Sequence, residues 1–191
     1  VTDRRDRRPA RSGDAAADPR SPAGAPEDHV PSVIFVCTGN ICRSPMAEVI
    51  ARAHALEEGV PARFTSAGVS DEEHGNPIDP RAVTQLRSAG YTPGSHSAHR
   101  VTDAELAEAD LVIGLEEHHV RALRRRAPAA DVRLLTEFDP DARPGEGVPD
   151  PWYGGREGFV RTAQAIEAAV PGVLAHLRHR PGQGVEPEAS A

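Results

Sequence analysis

Lysine is missing altogether: all 22 basic residues among the 191 are arginine. Without an amine side chain there can be no Walker-type phosphate-binding lysine, no pyridoxal Schiff base, no Ser-x-x-Lys acylation machinery and no kinase of the usual kind. Cysteine is almost as scarce, with only Cys37 and Cys42. Two are too few for a secreted disulfide framework, so a reduced, cytoplasmic setting is expected. No apolar run approaches the roughly 18 residues of a membrane span, and no apolar stretch follows the paired arginines of Thr2-Asp3-Arg4-Arg5, which argues against twin-arginine export. A concentrated basic face is lacking too. The 29 acidic residues leave a net charge of −7, and the one basic run, Arg124-Arg125-Arg126, reads as a solvated helix face. Nucleic acid is therefore not the expected partner.

Residues 1–30 hold six arginines and six acidic residues, with no large apolar residue except Val1 and Val30. Such a segment buries too little surface to offset its ordering entropy and reads as a disordered extension, either a regulatory tail or the product of a start codon set too early. Residues 181–191 form a second polar tail. One domain is expected between them, over residues 31–180. Within it, Ser32–Cys37 is a β-branched run suited to a strand covered on both faces. Ser44-Pro45 reads as an N-cap followed by proline in the first turn of a helix to about Glu58. Further strands are expected at 63–68, 110–115 and 131–135, and further helices at 79–90, 116–127 and 156–178. Strands alternating with helices imply α/β architecture with a parallel sheet, and ligands then lie at the carboxyl ends of the strands. Cys37 ends the first strand.

The loop Cys37-Thr38-Gly39-Asn40-Ile41-Cys42-Arg43-Ser44 has the form Cys-x5-Arg-Ser (CX5R) and joins that strand to that helix. Its backbone N–H groups and the helix N-terminus make a concavity for a tetrahedral oxyanion. Gly39 and Asn40 are residue types that tolerate left-handed backbone. Arg43 can grip two phosphate oxygens with a planar fork, and the same positive field favours sulfur as a nucleophilic thiolate at Cys37. Ser44 is placed to donate a hydrogen bond to that sulfur when it leaves. A Cys-x4-Cys zinc site is not expected, because no second ligand pair follows at a suitable spacing.

These residues resemble a known family, the low-molecular-weight protein tyrosine phosphatases, and look most like its actinobacterial members. The resemblance rests on Val36-Cys-Thr-Gly-Asn-Ile-Cys-Arg-Ser-Pro-Met-Ala-Glu48, Thr65-Ser-Ala-Gly68 and Asp150-Pro-Trp-Tyr-Gly154. It implies a four-stranded parallel sheet flanked by helices in a Rossmann-like fold. It also implies hydrolysis of phosphotyrosine in proteins or peptides through a phosphocysteine, without metal or other cofactor; a monomer is expected because nothing apolar and exposed demands a partner. Asp150 matches the family's general acid and then base; Asp139 and Asp141 are rivals by composition but lack the Pro-Trp-Tyr-Gly context. Thr38, Gly39, Asn40, Ile41, Cys42 and Ser44 match the substrate-binding loop, and Trp152 and Tyr153 the aromatic cleft entrance. His96 matches a histidine that props the loop at Asn40. Cys42 matches a second cysteine that in some members pairs with the nucleophile on oxidation, implying redox regulation.

One stretch departs from the family. Where many members carry an aromatic wall after the Ser-Ala-Gly strand, residues 69–76 contain Glu72, Glu73 and His74 and no aromatic residue. That makes one wall of the pocket acidic and favours peptides with basic flanks. Among rival activities on this fold, arsenate reduction needs relay cysteines beyond Cys42, though an external thiol would substitute for them. Phosphoarginine phosphatases tend to have threonine where Ile41 stands, and an apolar side chain there suits a flat aromatic substrate. A non-catalytic phosphate-binding module would dispense with Cys37, Arg43 or Asp150, and all three are present.

Overall fold

The computed structural model describes residues 29–179; the tails expected to be disordered lie, apart from His29 and Val30, outside these residues. Four strands, β1 (Ser32–Cys37), β2 (Arg63–Gly68), β3 (Leu111–Gly114) and β4 (Val132–Leu134), pair in parallel in the order β2-β1-β3-β4. Five helices surround them: α1 (Arg43–Glu57), α2 (Pro80–Ser88), α3 (Asp103–Glu108), α4 (Glu117–Arg126) and α5 (Arg156–Arg178).

Period-two alternation along the strands sorts the core into two layers. Val33, Phe35, Leu111 and Ile113 face the layer built with α1, α2 and α5. Ile34, Val36 and Val112 face the smaller layer containing Leu106 of α3 and Val120 and Leu123 of α4. Both faces of β1 are thus covered, as its continuous apolar run implies.

The chain steps from β1 outward to β2 and then back across β1 to β3. The carboxyl ends of β1 and β3 therefore sit at the point where connections diverge, leaving a crevice above them. Cys37 ends β1, Glu116 follows β3, and Asp150 lies on the segment between β4 and α5, so topology alone converges these residues.

Three local readings are corrected. The cap of α1 is Cys42, with no side-chain cap bond, and Ser44 lies inside the helix because its hydroxyl is drawn into the loop. Helix α3 was not expected, although Thr102 and Glu105 form a reciprocal capping box at its start. The short 3-10 turn Leu135–Phe138 after β4 was also not anticipated. By contrast, α5 runs through Pro171 as expected. A proline inside a helix costs about 3 kcal/mol, and here Val170, Val173, Leu174 and Leu177 are buried around it.

Candidate active site

The loop after β1 is held from three sides. Asn40 is the one non-glycine residue with positive φ among the described residues, at 59°, and each polar group of its side chain is used. Nδ2 donates to Ser44 Oγ (3.0 Å) and Ser66 Oγ (3.1 Å), and Oδ1 accepts from the His99 backbone N–H (3.1 Å). His96 Nε2 lies 2.7 Å from the Asn40 carbonyl oxygen, so the histidine props the main chain of the residue it was expected to support. The end of β2 closes the third side, with Val69 N–H donating to the Cys37 carbonyl (2.8 Å) and Ser70 N–H to that of Thr38 (3.0 Å). Gly68 permits this approach, since a Cβ there would stand 2.6 Å from the Thr38 carbonyl oxygen. Within the loop, left-handed backbone falls on Asn40 and not on Gly39. At Gly39 the constraint is instead space, because a Cβ would meet Glu73 Cγ at 2.9 Å.

Cys37 Sγ lies 3.0 Å from Ser44 Oγ. The same hydroxyl is 3.1 Å from the Ala67 carbonyl oxygen. Since it accepts from Asn40, its single proton is shared between a carbonyl and the sulfur. Arg43, at the start of α1, has a side chain only 3% exposed, yet its guanidinium reaches the crevice and bridges two carboxylates. Nη2 is 2.8 Å from Asp150 Oδ2, and Nη1 pairs with Glu116. A buried cation is tolerable only when paired, and Glu116, half-buried just before α4, supplies that pairing.

These groups converge on a cleft of about 240 Å³ lined by Cys37, Ile41, Arg43, Glu72, Asp150 and Trp152, with Thr38, Gly39, Cys42, Glu73 and Tyr153 completing it. Trp152 is 40% and Tyr153 97% exposed at its mouth. Asn40 and Ser44, expected to bind substrate, are fully buried beneath the loop and contribute no cleft lining. Of the acidic wall, Glu72 and Glu73 line the cleft, whereas His74 pairs with Asp71 (3.1 Å). Burial, helped by Asp79, pushes the Cys42 thiol up to about 12, so this second cysteine stays protonated.

Three participants escaped the sequence reading. Glu116 had no motif to mark it as the partner of Arg43. Ser66 sits within the Thr-Ser-Ala-Gly motif, and its hydroxyl both accepts from Asn40 and donates to Glu48 (2.5 Å). His119 is fully buried, with Nε2 3.0 Å from Thr38 Oγ1 and Nδ1 without a partner. Burial, then the positive charges of His118 and Arg43, push its imidazole down to about 3. It therefore sits neutral against the loop. Glu116, His118 and His119 bring ligand-type atoms within 4.8 Å of one another. Glu116 already neutralises Arg43, so its carboxylate reads as the counter-charge of that guanidinium rather than as a metal ligand.

The family model described as low molecular weight phosphotyrosine protein phosphatase matches residues 32–182. A low molecular weight protein-tyrosine-phosphatase of Streptomyces coelicolor is 44% identical over 155 residues, covering 78% of this chain and 94% of that protein. Low molecular weight protein-tyrosine phosphatase A of Mycobacterium tuberculosis is 44% identical over 147 residues, covering 74% and 88%. The crystal structure of a protein tyrosine phosphatase from Entamoeba histolytica, with Hepes in its active site, superposes with a TM-score of 0.73 at 26% identity, covering 78% and 97%.

Proposed function

Because the chain belongs to the low molecular weight phosphotyrosine protein phosphatase family, we propose that it hydrolyses phosphotyrosine in proteins or peptides, with Cys37, Arg43 and Asp150 carrying the chemistry. The observation that carries this reading is their convergence on one cleft, with the sulfur at the floor, the guanidinium beside it and the carboxylate 2.8 Å from that guanidinium.

In the first step Cys37 Sγ attacks phosphorus in line, an S–P bond forms and the P–O bond to the tyrosine ring breaks. Asp150 donates a proton to the departing phenolate oxygen. The loop N–H groups, the N-terminus of α1 and Arg43 bind the three equatorial oxygens, where charge is spread in the transition state. Phosphate entering the fork takes the place of Asp150 on Nη2, and Glu116 continues to hold Nη1. In the second step Asp150, now a carboxylate, accepts a proton from water as its oxygen attacks phosphorus. The S–P bond breaks, and the Ser44 hydroxyl turns its proton toward the leaving sulfur. Every proton and electron pair is accounted for by these residues, substrate and water.

Substrate preference follows from the walls. Ile41 and Trp152 offer apolar surface to a flat ring. The backbone N–H of Glu72 donates to Ser70 Oγ (3.2 Å), but its carboxylate has no hydrogen-bonded or ionic partner among the described residues, so its charge is available to a basic residue flanking the phosphotyrosine. The test is side-by-side turnover of phosphotyrosine, phosphoarginine and phosphoserine substrates, in reducing buffer without added metal. Phosphotyrosine turnover that falls sharply in Asp150→Ala is expected, and activity confined to phosphoarginine would overturn the substrate class. Among phosphotyrosine peptides, arginine flanks should lower KM relative to glutamate flanks, and Glu72→Gln should shrink that difference.

A further inference from the structure

Arg81 stands outside the cleft lining, yet each nitrogen of its guanidinium makes a hydrogen bond. Asp79, the N-cap of α2, holds it as a fork: Oδ1 accepts from Nε (3.1 Å) and Oδ2 from Nη2 (2.8 Å). Asp79 Oδ1 also accepts from the Arg81 backbone N–H (2.7 Å), and its side chain is only 8% exposed. The remaining guanidinium nitrogen, Nη1, donates to the Trp152 carbonyl (3.2 Å). The charged carbon lies 5.5 Å from the centroid of the Trp152 ring and 4.9 Å from that of Phe159, a buried residue of α5. Cation–π contacts of this kind favour arginine, whose planar group stacks while its edge still donates.

The two ends of this chain of contacts are the two halves of the cleft. Asp79 donates its backbone N–H to the carbonyl of Ile41 in the anion loop (2.8 Å). Trp152 donates its backbone N–H to Asp150 Oδ1 (3.0 Å). Asp150 is otherwise 45% exposed and sits on an irregular segment between β4 and α5. A carboxylate on such a segment gains catalytic effect only if the segment is held, because proton transfer depends on distance and angle to the leaving oxygen.

We propose that Arg81 is a positioning residue for Asp150, clamping the Pro151-Trp152 segment to Asp79 and so fixing the distance of the carboxyl from the anion loop. This rests on the reading of Asp150 as general acid. The Asp79–Arg81 pair is well suited to be a permanent strut: the guanidinium holds the Asp79 carboxyl below the usual carboxylate range, so the pair stays charged from mildly acidic pH upward. Arg81 commits three of its five guanidinium N–H groups to Asp79 and the Trp152 carbonyl and does not line the cleft, which separates its role from that of Arg43.

The experiment is a double-mutant cycle, read as kcat/KM on two aryl phosphates. Phenyl phosphate needs a proton on its leaving oxygen, whereas a nitrophenyl phosphate leaves readily without one. Arg81→Ala should lower kcat/KM on phenyl phosphate by about tenfold, a part of the roughly 10²–10⁴ that a positioned acid supplies, and on nitrophenyl phosphate by no more than about threefold. In an Asp150→Ala background the same substitution should change neither rate. Competitive inhibition by inorganic phosphate should be unaltered, because the Asp79-to-Ile41 contact is made by backbone. Arg81→Met, which keeps the stem packed on Phe159, serves if the alanine variant folds poorly, and Arg81→Lys should recover only part of the loss. An equal loss on both substrates, a loss that persists without Asp150, or no loss at all would overturn the proposal. Should Asp150→Ala alone show no dependence on the leaving group, the acid assignment itself fails, an outcome distinguishable from failure of the strut.

Discussion

Removing one buried hydroxyl should expose the step in which sulfur leaves. Ser44 Oγ is 3.0 Å from Cys37 Sγ, accepts from Asn40 Nδ2 at 3.0 Å and stands 3.1 Å from the Ala67 carbonyl. Ser44→Ala deletes the donor that can turn toward a thiolate. A hydrogen bond to a charged group contributes about 1.5–3 kcal/mol, and each 1.36 kcal/mol is about tenfold in rate, so kcat should fall about 10- to 100-fold. Folding should suffer less, by about 1 kcal/mol, because Asn40 Nδ2 keeps Ser66 Oγ as an acceptor at 3.1 Å and the cavity left by one oxygen is small. kcat/KM should change little, since Ser44 contributes no cleft lining and the slowed step follows release of the phenol, so KM falls along with kcat. Stopped-flow release of nitrophenol separates the two steps, and the variant should show a burst followed by slow turnover. A Ser44→Ala enzyme with unaltered kcat would refute the assignment of this hydroxyl to the leaving sulfur.

Stability against pH should carry the signature of His119. Below about pH 6.5 the unfolded chain binds a proton that the folded imidazole refuses until about 3, so stability drops by about 1.4 kcal/mol per pH unit from this group as pH falls through that window. Urea midpoints of His119→Gln between about pH 6.5 and 4 should show a shallower slope by one proton than the parent, and identical slopes would contradict the buried neutral histidine. The cysteines should separate cleanly: Cys42→Ser should retain most turnover, because the Cys42 thiol is held at about 12 and remains protonated, while Cys37→Ser should have none, as measured on nitrophenyl phosphate. Gly68→Ala should lose activity in excess of its loss of folding. Its Cβ would press on the Thr38 carbonyl at 2.6 Å, and overpacking of this kind costs about 1–3 kcal/mol; an active, stable variant would show that the loop yields freely.

The parallel sheet was legible because hydrophobic runs, caps and glycines agree along the chain, as in Ser32–Cys37 followed by the turn into α1. Helix α3 carries a short capping box and a single buried leucine, Leu106, too brief a pattern for periodicity to register. Cys37, Arg43 and Asp150 stand in local motifs, and the fold gathers them. Glu116, His119 and Arg81 were not legible as site residues, because their meaning comes from contacts across 73, 81 and 71 positions of sequence. Ser44 shows the reverse error: a Ser-Pro pair at a helix start satisfies the rule for an N-cap, but a buried sulfur and an asparagine amide compete for the hydroxyl and win.

The most direct test of Cys37 chemistry is rapid-quench mass spectrometry of Asp150→Ala mixed with nitrophenyl phosphate. This substrate needs no acid to leave, whereas hydrolysis of the phosphoenzyme lacks its base, so the intermediate should accumulate. One phosphoryl group on the peptide containing Cys37, absent in the Cys37→Ser/Asp150→Ala double variant, is the predicted result. Continued turnover with no phosphoryl group on Cys37, or with the group on another residue, would contradict it.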